Sequence, residues 1–546
     1  MHEVEVLLGL LVVVAALVAV SRHLSVPYPV LLVLGGLVLA LVPGLPTIQL
    51  NPDLIFLLFL PPLLYWETLS VPFRDLRANT RPILWLAIGL VLATTGAVAW
   101  VAHRVIPGLT WPAAFVLGAI LAPTDEVAAT EVATRLPIPR RVLTILEGES
   151  LINDAISLVA YRMAVAAAVT GAFSLRSASL QFLAVGLGGV SIGLAVGWGI
   201  AWLRRRLLAD PPVENTISFL TPFAAYLLAE ALGASVVLAV VTIGLYWQRQ
   251  GPRIVSSRAR LQAQAVWQML SFLLNGLLFI LTGLQLRLIL SAGLPQSVPV
   301  VLGYIASILV TLILVRALWV FLVAYVPRAL SPRLRRQDPY PPWQSVLLIV
   351  WTGIRGGISL LTALAIPLTL AGGQPFPQRS LILYIAFVII LATLLLQGLS
   401  LPWLIRLLKI PEEDGWEQEE TRARLAAIHA ALSHLDTLAP RTNKQKDDGG
   451  KTEPGAESIP PETIADLRHH YLMRKQHLAS RARGEESDGD QAQAEAYRKL
   501  RRDLIQAERE TVIRLRDEDT INDEVLRRIQ RDLDLEEIRL GPPLEP

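Results

Sequence analysis

Cysteine is missing altogether from the 546 residues. Its absence excludes disulfides, thiolate metal sites and cysteine nucleophiles, although it does not identify a compartment. Charge is scarce too: 17% of the residues are Asp, Glu, Lys or Arg against 53% hydrophobic, and the mean hydropathy of +0.49 is far above that of an ordinary soluble protein. The chain is therefore read as an all-α polytopic membrane protein. The first apolar run lacks the basic leader of a signal peptide, being preceded by His2, Glu3 and Glu5, and is read as a retained helix. His-rich metal motifs and Gly-x-Ser-x-Gly patterns are absent from the apolar runs, which argues against an intramembrane enzyme.

The charges that remain are unevenly placed. Runs 7–20, 83–102, 180–203 and 379–405 are nearly charge-free, whereas the chain after about residue 412 is rich in Glu, Asp, Arg and Lys. This predicts a transmembrane domain over 1–410 and a cytoplasmic tail over 411–546. The net charge of +3 averages two different objects, and no nucleic-acid partner follows from it.

Spanning helices need roughly 20 apolar residues. On that basis about thirteen are predicted, at 4–21, 26–42, 51–70, 82–105, 111–134, 142–170, 179–203, 214–232, 234–248, 262–288, 297–325, 344–370 and 379–405. The stretch 214–248 reads either as two spans divided near Gly233 or as one long span with a short re-entrant piece. Arginines favour the division. They crowd into alternate loops, as Arg22, Arg74 to Arg81, Arg135 to Arg141, Arg204 to Arg206, Arg249 to Arg260, Arg328 to Arg336 and Arg406. The positive-inside rule then puts the tail in the cytoplasm and, with an odd number of spans, the N-terminus outside.

Helix breakers and charges persist in mid-span where they face a cavity, a partner or a transport path. The fifth span holds Pro123, Thr124, Asp125 and Glu126 near its middle; the twelfth holds Gly353, Gly356 and Gly357 around Arg355. Interrupted segments in corresponding positions of two halves point to inverted repeats with a site at the midplane. Spans one to six and eight to thirteen would be the repeats. An Asp beside such a break suits half-helix N-termini, and an Arg suits half-helix C-termini.

On the sixth span, EGESLINDAIS (147–157), helical spacing puts Glu147, Ser150 and Asp154 on one stripe and Glu149 and Asn153 on its neighbour. Asp154 and Ser150 offer hard oxygens to a small cation or a proton, and Glu67, Asp125 and the freed backbone at Thr124 extend an oxygen-rich cluster. Each acid could instead be an ion-pair partner that holds helices together. That reading is preferred for Glu149, paired with Arg316 or Arg355. Acids outnumber mid-span arginines, so at least one of Asp154 and Asp125 is expected to bind a proton or a cation. Glu126 and Glu131 are weaker candidates, expected nearer the cytoplasmic mouth, and Glu147 receives no firm role.

The stretches FLPPLLYWET (59–68), APTDEVAAT (122–130), EGESLINDAISLV (147–159), FLLNGLLFILTGLQL (272–286) and GIRGGISL (353–360), taken in this order, resemble the monovalent cation:proton antiporters of the NhaP-like branch. The resemblance implies a thirteen-helix fold with crossed, unwound fifth and twelfth helices, a homodimer in the cell membrane and an elevator-like movement of a core domain. Residue by residue, it implies Asp154 as the carboxylate that takes either sodium or a proton, and Asn153 as the brace of the unwound helix. Thr124 would supply a carbonyl, with Ser150, Asp125 and Glu67 completing the sodium site. Glu149 would be ion-paired with Arg316, and Arg355 would steady the second break. An Asn-Asp pair is associated with one-for-one, electroneutral exchange. Many relatives read Thr-Asp-Pro where this chain reads Pro123-Thr124-Asp125-Glu126.

The expected function is sodium (or lithium) for proton exchange, with potassium/proton exchange as runner-up and a non-transporting membrane sensor or scaffold as the reading of a different class. No cofactor is expected beyond the transported ions; the partners expected are membrane lipid, monovalent cations and a second copy. Within the tail, 442–463 has the composition of a flexible linker. Leu425, Ile428, Leu432, Leu435 and Leu438 mark an amphipathic helix. His469 and His470 are weighed as pH sensors against a merely solvated role.

Overall fold

Long apolar runs, with breakers confined to their ends or middles, fold as helices throughout. In the computed structural model the described residues are 2–24, 26–43, 52–133, 136, 138–171, 175–207, 210–291, 296–370, 373–409, 415–447, 461–483, 488–518, 520 and 523–539. Among them the sole extended pairing is an isolated bridge, Thr369 to Pro375. Contacts divide the chain into two units, Met1–Glu412 and Glu413–Pro546.

The first unit begins with α1 (His2–Leu24), α2 (Tyr28–Leu41), α3 (Pro52–Ser70), the short α4 (Phe73–Ala78) and α5 (Thr80–Leu84), a π-helical stretch (Trp85–Leu90) and α6 (Val91–Val105). There follow α7 (Trp111–Leu121), α8 (Val127–Ala133), α9 (Arg140–Thr170), α10 (Leu175–Leu207), α11 (Pro211–Ala231), α12 (Val236–Ile254) and α13 (Ser257–Ser291). The unit closes with α14 (Val298–Leu330), α15 (Pro332–Gln337), α16 (Trp343–Trp351), α17 (Gly357–Leu364) and α18 (Arg379–Leu408). Among the described residues six helical stretches, Thr80–Val105, Arg140–Thr170, Ser179–Arg206, Arg258–Arg287, Val298–Leu330 and Arg379–Leu408, are long and apolar enough to cross a membrane. Four shorter apolar helices accompany them.

Local chemistry sets the boundaries. Gly233, at φ +66°, separates α11 from α12, and the Ser235 hydroxyl caps α12 by accepting the Leu238 N–H at 3.3 Å. The apolar stretch 211–254 is thus two helices. The span predicted over 344–370, by contrast, stops being helical at Leu364. Beyond it the chain turns back on itself, with Leu370 N–H donating to Gln374 O at 2.7 Å and Phe376 N–H to Leu368 O at 3.0 Å. Arg379 Nε takes up the Ile366 carbonyl at 2.9 Å, so the early end of α17 has its own cap. Composition could not reveal that end, because Ile366, Leu368 and Leu370 continue the apolar run.

Packing sorts the helices into two sets: α1, α2 and α3 with α10 to α13, and the π stretch, α6, α7 and α9 with α14, α16 and α18. In the first set, α13 lies directly on α2. A Cβ at Gly36 would sit 2.3 Å from Ile280 O, and one at Gly283 2.3 Å from Val33 O, the close approach that small residues allow between membrane helices. Around the second set, arginines at helix ends also tie neighbouring elements together. Asp338 receives Arg328 at 2.5 Å and Arg141 at 2.9 Å; Arg140 reaches Asp75 at 2.9 Å.

The second unit holds α19 (Gly415–Asp447), α20 (Pro461–Arg483), α21 (Asp488–Asp517) and α22 (Asp523–Arg539). α19 packs on α20 and α21 on α22. Arg468 pairs with Asp436 at 3.1 Å, and Arg509 with Asp534 and Glu537 at 2.7 Å each. Of the predicted stripe, Ile428 is buried and Leu425, Leu432 and Leu435 are half-buried, while the Leu438 side chain lies outside the described residues. Residues 442–447 finish α19 and 461–463 open α20, so helix occupies both ends of the predicted linker; 448–460 lie outside the described residues. His469 and His470 are exposed on α20.

Candidate functional site

The fifth span leaves its helix between Leu121 and Val127, where Pro123 removes a backbone donor. Thr124 and Asp125 find defined partners. Asp125 N–H donates to the Ile354 carbonyl at 2.8 Å, and its Oδ1 accepts the Val127 N–H at 2.9 Å, capping α8. The Thr124 carbonyl accepts from the Ser150 hydroxyl at 3.2 Å and from Asn153 Nδ2 at 3.4 Å. The Thr124 hydroxyl accepts from Asn153 Nδ2 at 3.0 Å and donates to Glu149 Oε1 at 3.2 Å. Three side chains of α9, on adjoining stripes, therefore hold a single residue of the break.

The twelfth span leaves its helix between Trp351 and Gly357, and the two interruptions meet. Besides the Asp125 to Ile354 bond, Gly356 lies so close to the Asp125 carboxylate that a Cβ there would fall 1.7 Å from Oδ2. Arg355 Nε donates to Leu121 O at 3.1 Å, placing a cation at the negative end of α7. Its Nη1 donates to Gly353 O, and its N–H to the Thr393 hydroxyl at 3.3 Å. One arginine thus braces both breaks.

Arg316 and Glu149 form a bidentate pair at 2.6 and 3.1 Å, with side chains 3% and 2% exposed. Arg316 also donates twice to Ile349 O, at 3.1 and 3.0 Å. Of the two partners open to Glu149 in the sequence, Arg316 is the one it meets.

Glu67 from α3, Thr124, Asp125 and Glu126 from the break, and Ser150 and Asp154 from α9 line one cavity, joined by Asn275 of α13 and Ser359 of α17. Of the six residues predicted for the cation site, Glu67, Thr124, Asp125, Ser150 and Asp154 line the cavity and Asn153 stands behind its wall, bonded to Thr124. Glu149, Arg316 and Arg355 do not line the cavity; they hold its frame. Glu126 was expected nearer a mouth, yet it is buried and lines the cavity. Glu131 and Glu147 are half-buried and stay outside the lining. Asn275 and Ser359 went unrecognised, although both fall within the stretches that carry the resemblance. Which face of its helix each presents depends on packing.

Among the described residues no arginine or lysine forms an ion pair with Glu67, Asp125 or Asp154. No group of three or more Asp, Glu or His among them is arranged as a resident metal centre. What remains is carboxylate, carbonyl and hydroxyl oxygen, the donor set that hard cations prefer. Two discontinuous helices meeting at an acidic, oxygen-lined cavity inside an apolar bundle define a class, the ion-coupled membrane transporter.

The chain belongs to the sodium/hydrogen exchanger family, whose transmembrane model matches residues 9–407. It is accordingly an integral membrane protein of cation/proton antiport and not an enzyme. An uncharacterised Na(+)/H(+) exchanger of Mycobacterium tuberculosis is 37% identical over 98% of this chain and 97% of its own length. A sodium, potassium, lithium and rubidium/H(+) antiporter of Bacillus subtilis is 37% identical over 80% of this chain and 66% of its own length. Among solved structures, the sodium proton antiporter MjNhaP1 of Methanocaldococcus jannaschii has the same fold, with a TM-score of 0.59 and 20% identity over 76% of this chain and 99% of its own.

Proposed function

We propose that this chain exchanges sodium or lithium for protons, one for one, at Asp154. The observation that carries the reading is the division of labour among buried charges. Both mid-span arginines are spent on Glu149 and on backbone carbonyls, whereas Asp154 faces the cavity with no fixed cation beside it. A bare carboxylate in an apolar bundle is costly. It is neutralised by a proton or by a small cation that Asp125, Glu67, Ser150 and the Thr124 carbonyl help to hold, directly or through water. Only the loaded carrier crosses, so proton and cation displace one another and exchange follows without ATP. Asn153, the neighbour of Asp154, carries no second charge, in keeping with one-for-one exchange.

Further parts of the reading rest on the sequence pattern: thirteen spans with the fifth and twelfth crossed, a cytoplasmic C-terminus and an external N-terminus from the arginine bias, and a homodimer. The contact between the two breaks supports the crossing. A broader cation range that includes potassium is the second reading, favoured by the name of the Bacillus subtilis relative.

Proteoliposomes with a trapped pH dye, challenged with each alkali cation in turn with and without a clamped potential, test the proposal. Sodium and lithium are expected to drive proton movement that does not respond to potential, and Asp154→Asn to abolish it. Wild-type exchange by Asp154→Asn would sink the assignment; an equal response to potassium would favour the second reading.

A further inference from the structure

α13 carries a polar stripe that the site accounts for only in part. Ser271, Asn275, Thr282 and Gln285 are all buried, Gln285 to 2% exposure. At about 100° per residue they fall, with Leu278, within an arc of roughly 80° on one helix face. Asn275 and Leu278 line the cavity, and Leu278 lies against Gly357 at the start of α17. The face is therefore turned toward the site. Thr282 and Gln285 continue it for roughly 10 to 15 Å beyond Asn275, toward the side of the membrane where α9, α13 and α17 end.

Buried polar groups on a membrane helix usually serve as bonds between helices. These do not. Asn275 Nδ2 donates to Ser271 Oγ at 3.3 Å, and the Thr282 hydroxyl donates to Leu278 O at 2.7 Å. Both bonds stay within α13. Gln285 Oε1 is buried without any partner, and an unsatisfied amide oxygen costs about 1–3 kcal/mol. Gln285 thus carries an unpartnered acceptor on the face that continues the cavity wall.

We propose that this stripe is the α13 wall of the ion path on both sides of Asp154, and that Gln285 Oε1, buried in this arrangement, offers a transit ligand to a partly dehydrated alkali cation. The inference rests on the assignment of Asp154 as the carrier carboxylate. Toward the other side, Asn275 lines the cavity and Ser271 stands one turn behind it, accepting the Asn275 amide.

The absence of native cysteine makes the test direct. Single-cysteine variants Gln285→Cys and Thr282→Cys, reconstituted and shown to exchange, are treated with a membrane-impermeant thiol reagent during turnover. Ile280→Cys serves as control, because Ile280 is fully buried and its carbonyl lies against Gly36 of α2. Labelling of the first two and not of the control is expected, with sodium slowing the labelling of Gln285→Cys. Gln285→Leu, close in size, is expected to raise the half-saturating sodium concentration on that side about fivefold, the effect of one net hydrogen bond, with little change in maximal rate. Active Gln285→Cys that never labels, or Gln285→Leu with the wild-type constant on both sides, would overturn the proposal. Asp154→Asn is assayed in parallel: exchange by that variant strikes the site assignment, whereas an Asp154-dependent carrier with an unlabelled Gln285→Cys strikes this inference alone.

Discussion

The Glu149–Arg316 pair sets up a quantitative test of how the cavity is framed. Arg316 makes four hydrogen bonds, two to Glu149 and two to Ile349 O, so replacing the carboxylate by an amide leaves a buried guanidinium with neutral acceptors and no counter-charge. Breaking such a pair from one side costs about 3–5 kcal/mol. Glu149→Gln and Arg316→Met are each expected to lose about that much, the second by leaving Glu149 unpaired beside Thr124. In the double variant neither charge remains, so its loss is expected to fall short of the sum by at least about 2 kcal/mol. Unfolding in mixed micelles, followed by the fluorescence of the 13 tryptophans, measures all four proteins. Strictly additive losses, or single variants within about 1 kcal/mol of wild type, would refute the claim that the pair is a desolvated unit. The double variant is further expected to keep a raised half-saturating sodium concentration, because the Thr124 hydroxyl would donate to a neutral amide oxygen in place of the Glu149 carboxylate.

Three further outcomes follow from the same geometry. Gly356→Ala keeps an allowed backbone, at φ −106°, but its methyl would collide with Asp125; exchange is expected to fall at least about tenfold, with overpacking costing about 1–3 kcal/mol, and an unchanged rate would show that Asp125 has room to move freely. Arg355→Met uncovers the Leu121 and Gly353 carbonyls together, so transport and thermal stability should fall in parallel in a reconstituted assay; a loss of transport at full stability would instead give Arg355 a direct part in binding. Asp338→Asn weakens the Arg328 and Arg141 pairs, partly exposed contacts, and is expected to cost about 1 kcal/mol with no change in cation preference; an altered preference in the dye assay would contradict its purely structural place.

Much of this was legible in the sequence because the bilayer makes exceptions conspicuous. Pro123, Arg355 and the glycines around it stand out in apolar runs, and both breaks fall where they stand. The braces were legible as types more than as pairs. Glu149 needed a cation, but the choice of Arg316 over Arg355 depends on helix positions that no spacing within one span encodes. Glu126 shows the limit most clearly. Its neighbours in sequence are unwound, so helical periodicity could not tell which way it points, and the structure turns it into the cavity. Asn275 and Ser359 were hidden for the opposite reason: an uncharged polar residue in a regular helix says nothing about the neighbouring helices until the packing is known.

The Thr124 carbonyl, held between Ser150 and Asn153, has a consequence for how such a site can change over time. A donor supplied by the main chain has no codon of its own. Every substitution at position 124 keeps the oxygen, and what varies is how firmly its direction is set. Mutation would therefore tune this donor indirectly, through the serine and asparagine one helix away, and two lineages could differ in ion preference while keeping the same residue at the break.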